Sequence, residues 1–246
     1  MIQSPILKVL SSFRNHQVRA LLMGGQACIF YGAAEFSRDT DLAVLSSKDN
    51  LKRLKDALAE LKAECIAVPP FDEDYLKRGH AIHFRCRAAG VEGMRVDIMS
   101  VMRNADPFSE LWKRRTTVTD ERGTAYEIIS LPDLVQVKKT QRDKDWPMIR
   151  RLVEAHYFQW NKEAEAVQLN FWFRELRTPE LLIELAQAHP EVCESAARER
   201  GLLRLARPGP AEPLARALEN EEKAEKDEDR LYWQPLKAEL EKLRRK

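Results

Sequence analysis

LLMGGQACIFYGAAEFSRDTDLAVL, residues 21–45, holds an apolar run, a glycine pair at Gly24 and Gly25, and two aspartates, Asp39 and Asp41, separated by one residue. RALLM (19–23) is short, apolar and stopped by glycine, the pattern of a strand. Residues 26–33 then start a helix, and TDLAVL (40–45) has the character of a second strand. Side chains alternate faces along a strand, so Asp39 and Asp41 share one face while Thr40 takes the other. Two carboxylates held that close repel unless a cation lies between them. Such a pair suits one or two Mg²⁺ ions, which take oxygen ligands and keep positions for water and phosphate.

Outward from this stretch, helix and strand patterns alternate. Ile6, Val9, Leu10 and Phe13 recur at helical spacing, and DNLKRLKDALAELKAE (49–64) sets Leu51, Leu54, Leu58 and Leu61 on one stripe of an amphipathic helix. AIHFRCRA (81–88) and MRVDIMSV (94–101) read as strands, with Gly90 and Gly93 marking a hairpin turn between them. Val96 and Ile98 then point into the core, and Asp97 faces the opposite surface. If this strand lies beside residues 40–45, three carboxylates converge. PFSELWKRR (107–115) predicts a short helix and YEIISL (126–131) a strand.

LPDLVQVKKTQRDKDWPMIRRLVEAHY (131–157) predicts two helices, because Pro147 breaks a single one and Asp145 can cap the second. From residue 161 the pattern is all helical, with breaks at Pro179, Pro190 and RPGPAEP (207–213), and ENEEKAEKDEDR (219–230) reads as a solvated helix face or a disordered tail. The expectation is an α+β core domain over 1–160 and a helical domain or extension over 161–246.

Composition narrows the function classes. Hydrophobic residues make up 44% of 246, enough for a core without disulfide staples. Lys plus Arg number 41 against 39 Asp plus Glu, so no overall field advertises a nucleic-acid partner. Cys28, Cys65, Cys86 and Cys193 lack CxxC spacing, which suits reduced thiols. No apolar run is long enough for a membrane span and no leader pattern is seen, so a cytoplasmic protein is expected.

The glycines, lacking Cβ, let backbone N–H groups approach an anion, yet the loop is neither a Walker A sequence nor GxGxxG. GG at 24 and 25, then D-x-D at 39 and 41, then a strand Asp at 97 resembles the core signature of the polymerase-beta-type nucleotidyltransferase superfamily, hG[GS] … [DE]h[DE]h … h[DE]h. KKTQRDKDW (138–146) resembles the K-x-x-x-R-x-K-D segment that follows this core in minimal and toxin-like members. The resemblance covers residues 5–155 and implies the nucleotidyltransferase fold, a mixed sheet with flanking helices.

It also implies roles. Asp39, Asp41 and Asp97 would bind two Mg²⁺ ions, with Mn²⁺ as an alternative, and Asp97 would take the proton of the attacking hydroxyl. Gly24 and Gly25 would seat the triphosphate. Lys138 and Arg142, four residues apart and read as sharing one helix face, would hold the β- and γ-phosphates, with Lys144 a weaker candidate. The reaction implied is transfer of an NMP from an NTP to a hydroxyl of a tRNA, a protein or a small molecule, and a toxin paired with an antitoxin protein is one form of it. The sequence departs from the pattern at Gly25, where many members have Ser and its hydroxyl; at Thr40, in place of an apolar residue; and at Arg38, with Glu35 standing where an Arg is common.

Two other classes stay open beside this reading: a member of the fold that binds nucleotide or a partner without chemistry, and an interaction protein that docks through its helical part. His80 and His83 tempt toward a metal site with Cys86 and Glu92, but odd spacing on a strand sends them to opposite sides. Tyr157, Phe158, Trp160, Phe171, Trp172 and Phe173 read as an interdomain core or a base-stacking platform. No Ser-His-Asp or Cys-His ordering is persuasive.

Overall fold

The computed structural model describes residues 4–34, 37, 39–121 and 123–245, so Glu35 and Arg38 lie outside the described residues. In chain order the elements are α1 (Ser4–Asn15), β1 (Ala20–Met23), α2 (Gly24–Phe30), β2 (Asp39–Val44), α3 (Lys48–Glu60), β3 (Glu64–Cys65), α4 (Glu73–Lys77), β4 (Ile82–Arg85), β5 (Arg95–Met99), α5 (Phe108–Lys113), β6 (Thr116–Thr119) and β7 (Ala125–Ile128). They continue as α6 (Leu131–Lys138), α7 (Asp145–Trp160), α8 (Ala166–Glu175), α9 (Pro179–Ala188), α10 (Pro190–Ala196) and α11 (Glu212–Arg244). The chain is α+β, and its strands form one mixed sheet in the order β3-β4-β5-β2-β1-β7-β6.

Chain contacts divide the molecule into two compact units, residues 1–137 with 232–246, and residues 138–231. The division falls after Val137, whereas the helical pattern of the sequence suggested residue 160. The helical pattern starts later in sequence than the second unit does.

In the first unit, β1 pairs antiparallel with β2, and β2 runs parallel to β5 with Thr40 opposite Val96 and Leu42 opposite Ile98. The predicted hairpin forms as β4 and β5, with Ile82 opposite Ile98 and His83 opposite Asp97. Paired residues on neighbouring strands share a face. One face therefore carries Leu22, Thr40, Leu42, Val44, Ile82, Phe84, Val96, Ile98 and Ile128, all buried. Thr40 is fully buried among them, its Oγ1 3.9 Å from Met94 Sδ, so the polar substitution sits inside the apolar layer.

Helix α3 forms because Ser47 caps it, accepting from Asn50 N, and because Leu51, Leu54 and Leu58 are buried along one stripe. Its Asn50 also ties two strands together: Oδ1 accepts from Arg19 N at 2.7 Å, while Nδ2 donates to Arg19 O at 3.1 Å and Leu45 O at 2.8 Å. The entry of β1 and the exit of β2 are thereby fixed, and with them the register that places Asp41.

The second unit is helical. Tyr157, Phe171, Trp172 and Phe173 are buried in it, and Trp172 Nε1 donates to His156 Nδ1 at 2.9 Å. These rings form a core internal to this unit, while Phe158 and Trp160 are exposed. Burial leaves the His156 imidazole harder to protonate than usual.

Beside the rings lies an ion network: Lys139 Nζ is 2.9 Å from Glu175, which is wholly buried, and Arg200 forks onto Glu221 at 2.9 and 2.7 Å. Residues 219–230 are part of α11, and Asp229 is buried where it accepts from Gln141 N at 2.8 Å. Isolated charge counting gave no sign of this order.

Candidate active site

The second face of the sheet is the charged one. Met23 stands opposite Asp41, Asp41 opposite Asp97, Asp39 opposite Arg95, and His83 opposite Asp97. In-register neighbours on adjacent strands put Asp39, Asp41 and Asp97 on one surface, as the alternation of Val96 and Ile98 required.

Gly24 shows why glycine is needed at the end of β1. Its φ is +65°, and a Cβ there would fall 1.8 Å from Asp41 Oδ2, so the absent side chain is the space the Asp41 carboxylate fills. A Cβ on Gly25 would fall 2.4 Å from Ser37 Oγ. The hydroxyl that a serine would carry at position 25 is thus supplied next to it by Ser37, which Gln26 fixes by donating to the Ser37 carbonyl at 2.8 Å.

Arg95 and His83 complete the surface; the sequence singled out His83 only as a doubtful metal ligand and did not single out Arg95. Arg95 Nε donates to Asp97 Oδ1 at 2.8 Å. His83 Nδ1 is 2.9 Å from that same oxygen and 3.1 Å from Arg95 Nη2. A single ring nitrogen serves one of them at a time: protonated it donates to Asp97, unprotonated it accepts from Arg95. His80, by contrast, lies before β4, buried, with Nε2 2.7 Å from Glu239 Oε2. The two histidines do part company, and His83 goes to the acids.

Electrostatics follow from these contacts. Burial pushes the Asp97 carboxyl up, but hydrogen bonds and charge from His83 and Arg95 outweigh it and hold the group below the usual carboxylate range. The hydrogen bond to Asp97 raises Arg95 above its ordinary value, and the charges of Asp97, Asp39 and Asp41 add to the effect. Burial pushes the nearby Cys86 thiol up to about 11, which keeps it a neutral, packed side chain.

For a divalent cation the donor set is chemically apt, since all three groups are carboxylates on one surface. As the side chains stand, Asp97 is turned to Arg95 and His83, and among the described residues no three His, Cys, Asp or Glu side chains are gathered as a metal site.

Lys138 and Arg142 belong to the second unit, apart from this set in the division of the chain. Lys138 ends α6 and Arg142 lies in the turn before α7, so they do not share a helix face. They meet at Asp145 instead: Lys138 Nζ is 3.4 Å from Oδ1 and Arg142 Nε donates to Oδ2 at 2.7 Å. Asp145 is the first residue of α7 and not its N-cap; its side chain is occupied by these two cations and by the Thr140 hydroxyl at 2.6 Å. Burial raises its carboxyl, but the charges of Lys138 and Arg142 and the Thr140 bond prevail, leaving it below the usual range.

Comparison with protein-family models and with curated proteins gave no match for the chain.

Proposed function

We propose that the protein is a metal-dependent nucleotidyltransferase that moves an NMP from an NTP onto a hydroxyl of an acceptor. The observation that carries the reading is the register of Asp41 against Asp97, with Asp39 on the same surface and Gly24 opened to make room for Asp41. Three carboxylates on one surface repel one another, and a divalent cation would offset them together. The nucleotidyltransferase fold is part of the same proposal, supported by the mixed sheet and the glycine-to-DxD order of β1, α2 and β2.

Asp39, Asp41 and Asp97 would hold Mg²⁺ or Mn²⁺, which supplies charge to offset the phosphate oxygens in the transition state. Asp97, held below the usual carboxylate range, is suited to be a ligand; as a base it gains strength only when the Arg95 and His83 contacts are released. The acceptor oxygen would bond to the α-phosphorus while the bridge to the β-phosphate breaks, releasing pyrophosphate, and the hydroxyl proton passes to Asp97. Gly24 makes room for Asp41 and Gly25 for the Ser37 hydroxyl, and the two glycines with that hydroxyl would meet the phosphates. Of the two cations the resemblance assigned to phosphate, Arg142 keeps 58% of its side chain exposed, whereas Lys138, at 11%, is committed to Asp145.

The test is incubation with each labelled NTP, Mg²⁺ and total cell extract, reading which fraction takes up label: nucleic acid, protein or small molecules. Label in none of them contradicts the proposal. The Arg95–Asp97 contact favours one second reading, a member that binds nucleotide without chemistry; calorimetric nucleotide binding with no pyrophosphate release would select it. A toxin acting through this site would arrest growth when expressed as wild type and not as Asp41→Ala.

A further inference from the structure

Arg95 stands where a cation is needed. The register sets it opposite Asp39 on the neighbouring strand and two residues before Asp97 on its own, so its side chain leaves the sheet between two of the three acids. Nε reaches Asp97 Oδ1 at 2.8 Å, and the charges of Asp39 and Asp41 also act on it.

A divalent ion on Asp97 and the Arg95 guanidinium on the same oxygen repel each other, and both are dehydrated on the carboxylate they share. Asp97 keeps 14% of its side chain exposed, so it has little room to move away; Arg95 keeps 39% exposed and has somewhere to go. A guanidinium that leaves a carboxylate beside an incoming triphosphate meets a better partner, since its planar fork matches phosphate oxygens in pairs.

We propose that Arg95 is a handover residue: it balances the acids before a cation binds, and turns to the triphosphate when metal and nucleotide arrive together. The inference rests on the nucleotidyltransferase reading of this site. Its consequence is that the unliganded protein binds a divalent cation weakly, because the cation must displace Arg95 with nothing to receive it. Nucleotide then strengthens cation binding, and by reciprocity the cation strengthens nucleotide binding, through one side chain.

The experiment is titration with Mn²⁺ followed by loss of the free-ion electron paramagnetic signal, on wild type, Arg95→Met, Arg95→Lys and Arg95→Met/Asp97→Asn, each checked for the wild-type circular dichroism spectrum. Without nucleotide, Arg95→Met is expected to bind Mn²⁺ about tenfold more tightly than wild type, within the usual span of such couplings. Arg95→Lys keeps the charge and should stay near wild type, and the double variant should lose the gain. With a non-hydrolysable NTP and Mn²⁺, Arg95→Met should bind the nucleotide about tenfold more weakly than wild type, having lost the phosphate contact. Equal Mn²⁺ affinity in wild type and Arg95→Met overturns the handover while leaving the enzyme reading intact if label transfer persists. Should no form bind Mn²⁺ even with nucleotide, the reading of the site fails and the handover fails with it.

Discussion

Gly24 carries the sharpest single-residue consequence of this architecture. It takes a left-handed φ of +65° and leaves the space that Asp41 Oδ2 occupies, 1.8 Å from where a Cβ would stand. Gly24→Ala is therefore expected to displace the Asp41 carboxylate, abolish transfer, and cost about 1 kcal/mol or more of stability from the backbone alone, measured by urea unfolding. Wild-type turnover in a folded Gly24→Ala protein would show that the carboxylate position does not matter. Part of this site was legible beforehand, because D-x-D parity and an acid between Val96 and Ile98 fix which way carboxylates point whatever the strand order. Arg95 was missed, and His83 was weighed only against His80, for a reason of the same kind. Arg95 shares the parity of Asp97, and a hairpin turning at Gly90 and Gly93 brings His83 across from Asp97, but that pairing follows from the register between strands and not from parity within one.

At the scale of elements, the strands and long helices follow from periodicity, while what the chain does between them depends on contacts distant in sequence. The segments β3, β6 and α4 are short, and their residues show no periodicity that separates them from loops. Lys138 and Arg142 illustrate the other limit: spacing by four implies one helix face only if the helix continues, and α6 stops at Lys138. Asp145 is then the joint between α6 and α7. Replacing it with Ala leaves the poorly exposed Lys138 ammonium without its partner and is expected to cost about 3 kcal/mol, with Arg142 adding little because it is mostly solvated. Chemical denaturation of Asp145→Ala reads this directly; a change near zero would mean that solvent serves Lys138 as well. Asn50 tests the joint on the sheet side. Asn50→Ala leaves the Arg19 amide and the Leu45 carbonyl without their side-chain partner, and a loss of about 1–3 kcal/mol is expected.

For the whole molecule, the two units share one electrostatic habit, carboxylates held by buried or half-buried cations. Asp97 in the first unit, and Asp145 and Glu221 in the second, all lie below their usual values although burial pushes each of them up. A carboxyl depressed in the folded state binds fewer protons there than in the unfolded chain. Its contribution is complete above the unfolded value of about 4 and is lost as pH falls through the folded one. The melting temperature is therefore expected to be level near neutrality and to drop below about pH 4, with a shallower drop in Asp145→Asn. An equal drop in both proteins would place the acid sensitivity elsewhere. The second unit, residues 138–231, carries 17 basic against 19 acidic residues, and its cations at Lys139, Arg177 and Arg200 are buried against Glu175 and Glu221. A near balance of charge gives this unit no general attraction to nucleic acid.

The central claim is that Asp39, Asp41 and Asp97 form one nucleotide-transfer site. Wild type, Asp41→Ala and Asp97→Ala, incubated with Mg²⁺, the labelled NTP and the acceptor fraction that takes up label, give the most direct measurement through pyrophosphate release. Release by the wild type and a fall of about 10²-fold or more in each variant is the predicted result, as expected for loss of a transition-state ligand. Undiminished release by either variant would contradict it.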